Sequence, residues 1–351
     1  AAHKRMGAES EYASEAERAA ECPSSEDPVE YRAQCAEILL YLEENAPDLV
    51  ELMRGVARGA GVPFEDVFCL NCQRAIASTR PRGNLLESCS AAAVVTEDAG
   101  RALARTGDGM LDPAKPKPRL PGGWSDDLAV FKVAPSQGLR HILFGSVETL
   151  VAGDGMNEAG VSFGCLNLPY GPAHVGGGIP YNLIGRALAP RAESVEDAAD
   201  VLSGWREASR AKCWPLVDGA GGCLAVEKCF HRTGLVQPGP DGVLIHANDY
   251  LAPELQDLAD HDQNSADRVG TLRLFIEEAL GQGGATVQTM EAAVRLHADA
   301  GSICRHGESD RSDGRGFTSS ALVYLPERKT MRVLCGDHPC QGRFHELTFD
   351  F

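Results

Sequence analysis

Apolar residues in the first part of the chain recur every three or four positions. Ile38, Leu39 and Leu42, then Leu49, Leu52 and Val56, trace successive helical faces. Residues 1 to about 80 are therefore read as helical, with breaks at Pro47 and at Gly59–Gly61. FEDVFCLNCQRAI continues the pattern through Val67, Leu70 and Ile76, and a polar linker, STRPRGN, follows. From Cys89 onward the period changes. AAAVV, DLAVFKV, HILFGSVETL and GVSFGCLNL are short apolar runs between Gly and Asp turns and predict strands. The proline-rich DPAKPKPRLPGG between them predicts a loop. YNLIGRALAP and SVEDAADVLSGWR predict helices, the second capped by Ser194 with Asp197 three positions on. GGCLAVEKC and GVLIHAND return to strands, NSADRVGTLRLFIEEAL and TVQTMEAAVRLHADA to helices. TSSALVYLPER, TMRVLCGD and GRFHELTF close the chain as strands. Strand runs alternating with helix pairs, without internal repeats, predict an α+β layered domain rather than a repeating βαβ sheet.

Composition narrows the function classes. The 351 residues suffice for one large or two modest domains, and 43 % apolar with 24 % charged residues is ordinary for a globular protein. A net charge of −17 and a pI near 5.0 argue against nucleic acid or an anionic membrane as partner. No apolar run approaches the ~20 residues of a membrane helix. AAHKRMGAES lacks the apolar core of a signal peptide, so a cytoplasmic location is expected. The twelve cysteines are dispersed and are read as reduced, mostly buried thiols. Cys69 with Cys72, and Cys335 with Cys340 around His338, would be the ligands of an alternative zinc-stabilised, non-catalytic domain. The helical reading of FEDVFCLNCQRAI is preferred, and no metal is expected. GDG at 107–109 and GGG at 176–178 lack the context of a phosphate loop, so no nucleotide or other organic cofactor is expected.

The candidate chemistry centres on Cys89 in LLESCSAAAVV, at the start of a small-residue strand, with Arg105 and Asp108 on the next strand. This arrangement suits an amidohydrolase that cuts itself open. Cleavage of Ser88–Cys89 would give Cys89 both a thiol and a free α-amine. Their reference pKa values, about 8.5 and 8, let the amine take the thiol proton without a histidine. An adjacent Arg would favour the thiolate. Asp108 would hold the α-ammonium, and Arg105 would orient Asp108 or bind a substrate carboxylate. Each residue also has a plainer reading: a small core cysteine, a turn aspartate in TGDG, a solvated strand arginine.

ELMRGVARGAGVPFEDVFCLN, SCSAAAVV, MNEAGVSFGCLNL, VLIHANDY, SICRHGESDRSDGRGFTSSALV and CGDHPCQGRFHELTF, in this order and spacing, resemble the acyl-coenzyme A:6-aminopenicillanic acid acyltransferase family. That family is the C45 peptidase-like branch of the N-terminal nucleophile (Ntn) hydrolases. The resemblance implies an αββα sandwich of two antiparallel sheets flanked by helices. It also implies a zymogen matured into an α chain, residues 1–88, and a β chain, residues 89–351, which stay associated. Asn248 of the His-x-Asn segment becomes an oxyanion-hole donor, although Asn248 beside Asp249 also fits a turn. Arg315 matches the active-site arginine, suited to Asp108 or a substrate carboxylate, and Arg305 of SICR lies just outside it. His246 and His306 are read as structural. Four positions depart from the pattern: Ser88 stands where Gly is common, Ala91 where a hydroxyl is, Gly107 where an aromatic is, and Cys229 where the acyltransferase has serine. Ser90 is then the hydroxyl beside the nucleophile. The expected function is hydrolysis of a small N-acyl amide through a thioester at Cys89. Acyl transfer to an amine, from an acyl-CoA or penicillin-type donor, is one alternative, and an uncut binding protein on the same fold is the other. DPAKPKPRLPGG and NLPYGPAHVGGGIP are candidate lids.

Overall fold

Helices α1 (Pro28–Asn45), α2 (Pro47–Ala60) and α3 (Phe64–Ala77) open the computed structural model, which describes residues 28–77, 88–110, 128–146, 150–169, 177–208, 211–306, 316–335 and 339–351. Pro47 starts α2, where a missing N–H is harmless, and Gly61 ends it in the left-handed region at φ 70°. The chain then enters β1 (Cys89–Thr96), β2 (Gly100–Met110), β3 (Leu128–Val133), β4 (His141–Ser146), β5 (Ala152–Asn157), β6 (Ser162–Phe163), β7 (Leu166–Asn167) and β8 (Ile179–Pro180). Helices α4 (Ile184–Leu188) and α5 (Val195–Gly204) lead to β9 (Glu207–Ala208), β10 (Lys212–Val217), β11 (Cys223–Cys229), β12 (Arg232–Val236) and β13 (Leu244–His246). Helices α6 (Gln263–Gly281) and α7 (Val287–Ala293) precede β14 (Gly316–Leu325), β15 (Thr330–Cys335) and β16 (His345–Leu347).

Two antiparallel sheets result. One runs β13-β1-β2-β14-β15-β16; the other runs β12-β11-β10-β6-β5-β4-β3, with β7 also on β10. Alternation along the strands builds three cores between four layers. Ala91, Ala93, Leu103, Leu322 and Tyr324 of the first sheet meet Ile142, Phe144, Met156 and Cys213 of the second. Ala92, Ala102, Ala104, Ala321 and Val323 face Leu272 and Ile276 of α6 and Met290 of α7. Leu143, Trp214, Leu216 and Val226 turn the other way, onto the buried faces of α1 to α5. The order is therefore αββα.

The Ser194 hydroxyl caps α5 by accepting from the Asp197 N–H at 3.1 Å. Three strand and helix expectations change. GVSFGCLNL divides at Gly164–Cys165 into β6 and β7, both paired with β10. The helix in TVQTMEAAVRLHADA ends at Ala293. KCWPLV is an unpredicted strand, β10, buried throughout despite Lys212 and Pro215. Its lysine lies over the Tyr181 ring at 4.1 Å and bonds Asn167 Oδ1, which makes the burial tolerable. Among the described residues no helix is long and apolar enough to cross a membrane.

Candidate active site

Strand alternation divides the Ser88–Cys89 bond between two faces. Cys89, at the start of β1, pairs across the ladder with Gly107, and Ala91 with Arg105. These positions face the second sheet. Ser88 and Asp108, one step on, face α6 instead.

On the inter-sheet face the Cys89 thiol is buried and lies 3.4 Å from Nη2 of Arg105. Arg105 also donates to the Cys165 carbonyl at 2.5 Å and pairs with Asp154 of β5 at 2.9 Å. Burial opposes the Arg105 charge, but Asp154 and the other groups around it more than offset that, and its pKa stands above the ordinary value. Asp154 also accepts from Tyr324 Oη at 3.2 Å. Arg105 thus pairs with Asp154, and the expectation that it orients Asp108 is not met. Gly107 explains how Arg105 reaches back: a Cβ there would sit 2.7 Å from Ser320 Oγ and 2.9 Å from Arg105 Nη1. An aromatic at this position would block that arginine.

The Cys89 backbone N–H donates to Asn248 Oδ1 at 2.9 Å. Asn248 Nδ2 donates to the Asn167 carbonyl at 2.8 Å, which engages one of its two amide hydrogens in the continuous chain. Arg268 of α6 is fully buried and completes this corner. It bonds the Cys89 carbonyl, donates to Ser90 Oγ at 2.9 Å, to Asn248 Oδ1 at 2.7 Å and to Asn264 Oδ1 at 3.0 Å.

On the α6 face the Asp108 N–H donates to the Ser88 carbonyl oxygen at 2.9 Å. The Asp108 carboxyl accepts from Ser88 Oγ at 3.1 Å and from Thr318 Oγ1 at 2.8 Å. Arg305 bonds Ser88 Oγ and stands 4.0 Å from Asp108 Oδ2. Its backbone is fixed by Thr318, which accepts from the Arg305 N–H at 2.9 Å and donates its own N–H to the Arg305 carbonyl at 2.9 Å. Burial raises the Asp108 pKa, against the pull of Arg268 and Arg305. In the continuous chain Asp108 therefore holds Ser88, while Asn248 holds the Cys89 nitrogen.

Other expected residues lie around this centre. His246 Nε2 is 2.7 Å from Glu227 Oε1, a fully buried link between the sheets. Glu227 also accepts the N–H groups of Leu251 at 2.7 Å and Ala252 at 3.1 Å, consistent with the structural reading of His246. Cys229, at the end of β11, is buried in the inter-sheet core with Tyr250. Arg315 and His338 lie outside the described residues, as do DPAKPKPRLPGG and residues 170–176 of the second candidate lid. The four-cysteine set is not assembled: Cys69 and Cys72 pack with Cys35 in the helical core, and Cys335 packs between the sheets.

Sequence reasoning missed Arg268, Thr318 and Asn167. Arg268 carried a signal, since Ser265, Arg268, Leu272 and Ile276 form the buried stripe of α6. An arginine on a buried stripe needs partners.

The profile described as Acyl-coenzyme A:6-aminopenicillanic acid acyl-transferase matches residues 126–338, more than half of the chain. Among solved structures, the C2A mutant of conjugated bile acid hydrolase from Clostridium perfringens is 13 % identical with a TM-score of 0.51, over 75 % of this chain and 92 % of that one. Its R18L variant is 12 % identical with a TM-score of 0.51, over 75 % and 93 %. Penicillin V acylase from Agrobacterium tumefaciens is 15 % identical with a TM-score of 0.42, over 74 % and 86 %. The likeness to the hydrolase is one of fold. No curated protein matches by sequence.

Proposed function

The chain belongs to the acyl-coenzyme A:6-aminopenicillanic acid acyl-transferase family, with the fold of the N-terminal nucleophile amidohydrolases and acyltransferases, and we propose that it is a self-processing cysteine amidohydrolase cut between Ser88 and Cys89. One observation carries this reading. The nitrogen of Cys89 is 2.9 Å from Asn248 Oδ1 while its sulfur is 3.4 Å from an Arg105 nitrogen. The future amine and the thiol of a single residue each have a fixed polar partner.

In the cut, the Cys89 thiol attacks the Ser88 carbonyl carbon. A C–S bond forms, the C–N bond to Cys89 breaks, and the thiol proton ends on the departing nitrogen. Water then hydrolyses the thioester, leaving a carboxylate on Ser88 and a free amine and thiol on Cys89. The Asp108 N–H, 2.9 Å from the carbonyl oxygen, stabilises the charge that develops there. The new Ser88 carboxylate appears beside the Asp108 carboxyl, and their repulsion drives it out.

In turnover the amine takes the thiol proton and the thiolate attacks a substrate amide. The Arg105 guanidinium, 3.4 Å from the sulfur, stands beside the attacking atom. Arg268, at 2.7 Å from the same Asn248 oxygen, disfavours the ammonium and keeps the amine a neutral base. Asn248 Nδ2 serves the substrate oxyanion by exchanging its Asn167 partner. Water resolves the acyl-enzyme.

A panel of N-acyl amides, assayed by amine release, tests this reading. Turnover that is lost in Cys89→Ala supports it. Acyl products in place of free acid, when an amine acceptor is added, would make the enzyme an acyltransferase. No turnover, and no labelling of Cys89 by a thiol-reactive acyl probe, would leave a binding protein.

A further inference from the structure

Away from Cys89, the structure gathers a second group of thiols and imidazoles. Ligand atoms of His297, Cys304, His306 and Cys340 all lie within 4.8 Å of one another. We propose that these four residues form a structural zinc centre.

The geometry is that of one shared centre rather than of paired hydrogen bonds. Cys304 Sγ is 3.5 Å and Cys340 Sγ is 3.4 Å from the same nitrogen, Nε2 of His306. A ring nitrogen carries one proton or one lone pair, so it cannot satisfy two thiols with full hydrogen bonds. A tetrahedral zinc with Zn–S of about 2.3 Å and Zn–N of about 2.05 Å separates sulfur from nitrogen by about 3.6 Å. The observed spacings are within about 0.2 Å of that value. The His297 and His306 rings stand 4.8 Å apart at 82°, and each offers one ring nitrogen to the same group of ligand atoms. Both cysteines are free thiols. Two thiolates and two imidazoles in a tetrahedron select zinc over the hard cations, which prefer oxygen. Four protein ligands leave no open position, so the centre is structural rather than catalytic.

The site also has a place in the fold. Its ligands come from three separate stretches: the turn after α7, the segment entering β14, and the turn after β15. Leu296 already accepts the N–H groups of Ile303 at 3.1 Å and Cys304 at 2.9 Å, and Arg295 donates to the Gly342 carbonyl at 3.1 Å. Residue 305, between two of the ligands, is the arginine that bonds Ser88. Zinc would clamp this segment on both sides and hold Arg305 against the bond to be cut.

Metal content tests the proposal independently of catalysis or self-cleavage. Intact protein produced with zinc, gel-filtered and analysed by mass spectrometry of the metals should hold about one zinc per chain. Exchange for cobalt should give the visible bands of a tetrahedral site and a thiolate charge-transfer band. Cys304→Ser and Cys340→Ser should each lower zinc retention roughly tenfold or more, while Cys69→Ser should retain it. Should Cys304→Ser fail to fold, His297→Gln at the exposed edge provides the same readout. Zinc-loaded protein that comes through gel filtration free of metal, without a cobalt spectrum, would overturn the proposal. So would a Cys304–Cys340 disulfide in the freshly isolated protein.

Discussion

The two residues of the Ser88–Cys89 bond occupy different chemical settings, although they are neighbours. Ser88 is on the α6 face, with Asp108 on its carbonyl and hydroxyl, Arg305 on its hydroxyl, and Thr318 holding the Asp108 carboxyl. Cys89 is on the inter-sheet face, with Arg105 on its sulfur and Asn248 on its nitrogen. The alternation of a β-strand is enough to create this division. It suggests a division of labour: the Ser88 side serves the cut, and the Cys89 side survives it to serve turnover.

The largest expected effect does not respect that division. Cys89→Ala should abolish both the cut and amide turnover, by about a thousandfold or more, read by mass and by amine release. Arg268→Met should also reach both sides, because four polar groups lose a buried cation. A destabilisation of about 3 kcal/mol is expected by denaturant melting.

Asp108→Asn sharpens the comparison. Its backbone N–H stays on the Ser88 carbonyl, but the carboxyl contact with Ser88 Oγ weakens. The cut should slow by roughly tenfold in a time course of chain appearance. A faster loss of turnover than of cutting would break the assignment of Asp108 to the Ser88 side.

The same residue predicts a pH effect in the uncut Cys89→Ala protein. Burial raises the Asp108 pKa, so the folded state binds its proton more tightly than the unfolded one. Its stabilisation is complete below the unfolded value of 3.8 and is lost as pH rises through the higher folded value. The Tm of Cys89→Ala should therefore fall relative to Cys89→Ala/Asp108→Asn as pH rises above 3.8. The opposite slope would mean that Arg268 and Arg305 outweigh burial. Smallest of all, Ser194→Ala should cost about 1 kcal/mol through the α5 cap and leave cut and turnover rates alone.

Much of the fold was legible because each layer writes a period into the chain. The helices of residues 28–77 show it at three and four positions, and β1 and β4 carry the short apolar runs AAAVV and ILF. Ser194 could be read as a cap because the cap is local. Strand β10 was not legible: a lysine and a proline interrupt its pattern, and the Tyr181 and Asn167 contacts that help make Lys212 tolerable there come from far off in sequence. At the site, Cys89, Arg105, Asp108 and Asn248 stood out as residue types in a recognisable order. Arg268 did not, because its partners Cys89 and Ser90 lie nearly 180 residues away. The Arg105–Asp154 pair was hidden for the same reason. His297, Cys304, His306 and Cys340 have no ligand spacing to notice, since three chain segments supply them.

Denaturing intact-mass spectrometry of the purified protein, beside Cys89→Ala, is the most direct test of the central claim. The account predicts two fragments split between Ser88 and Cys89 in the parent chain and one whole chain in the variant. A single uncut chain in both, or a cut that persists without the thiol, would contradict it.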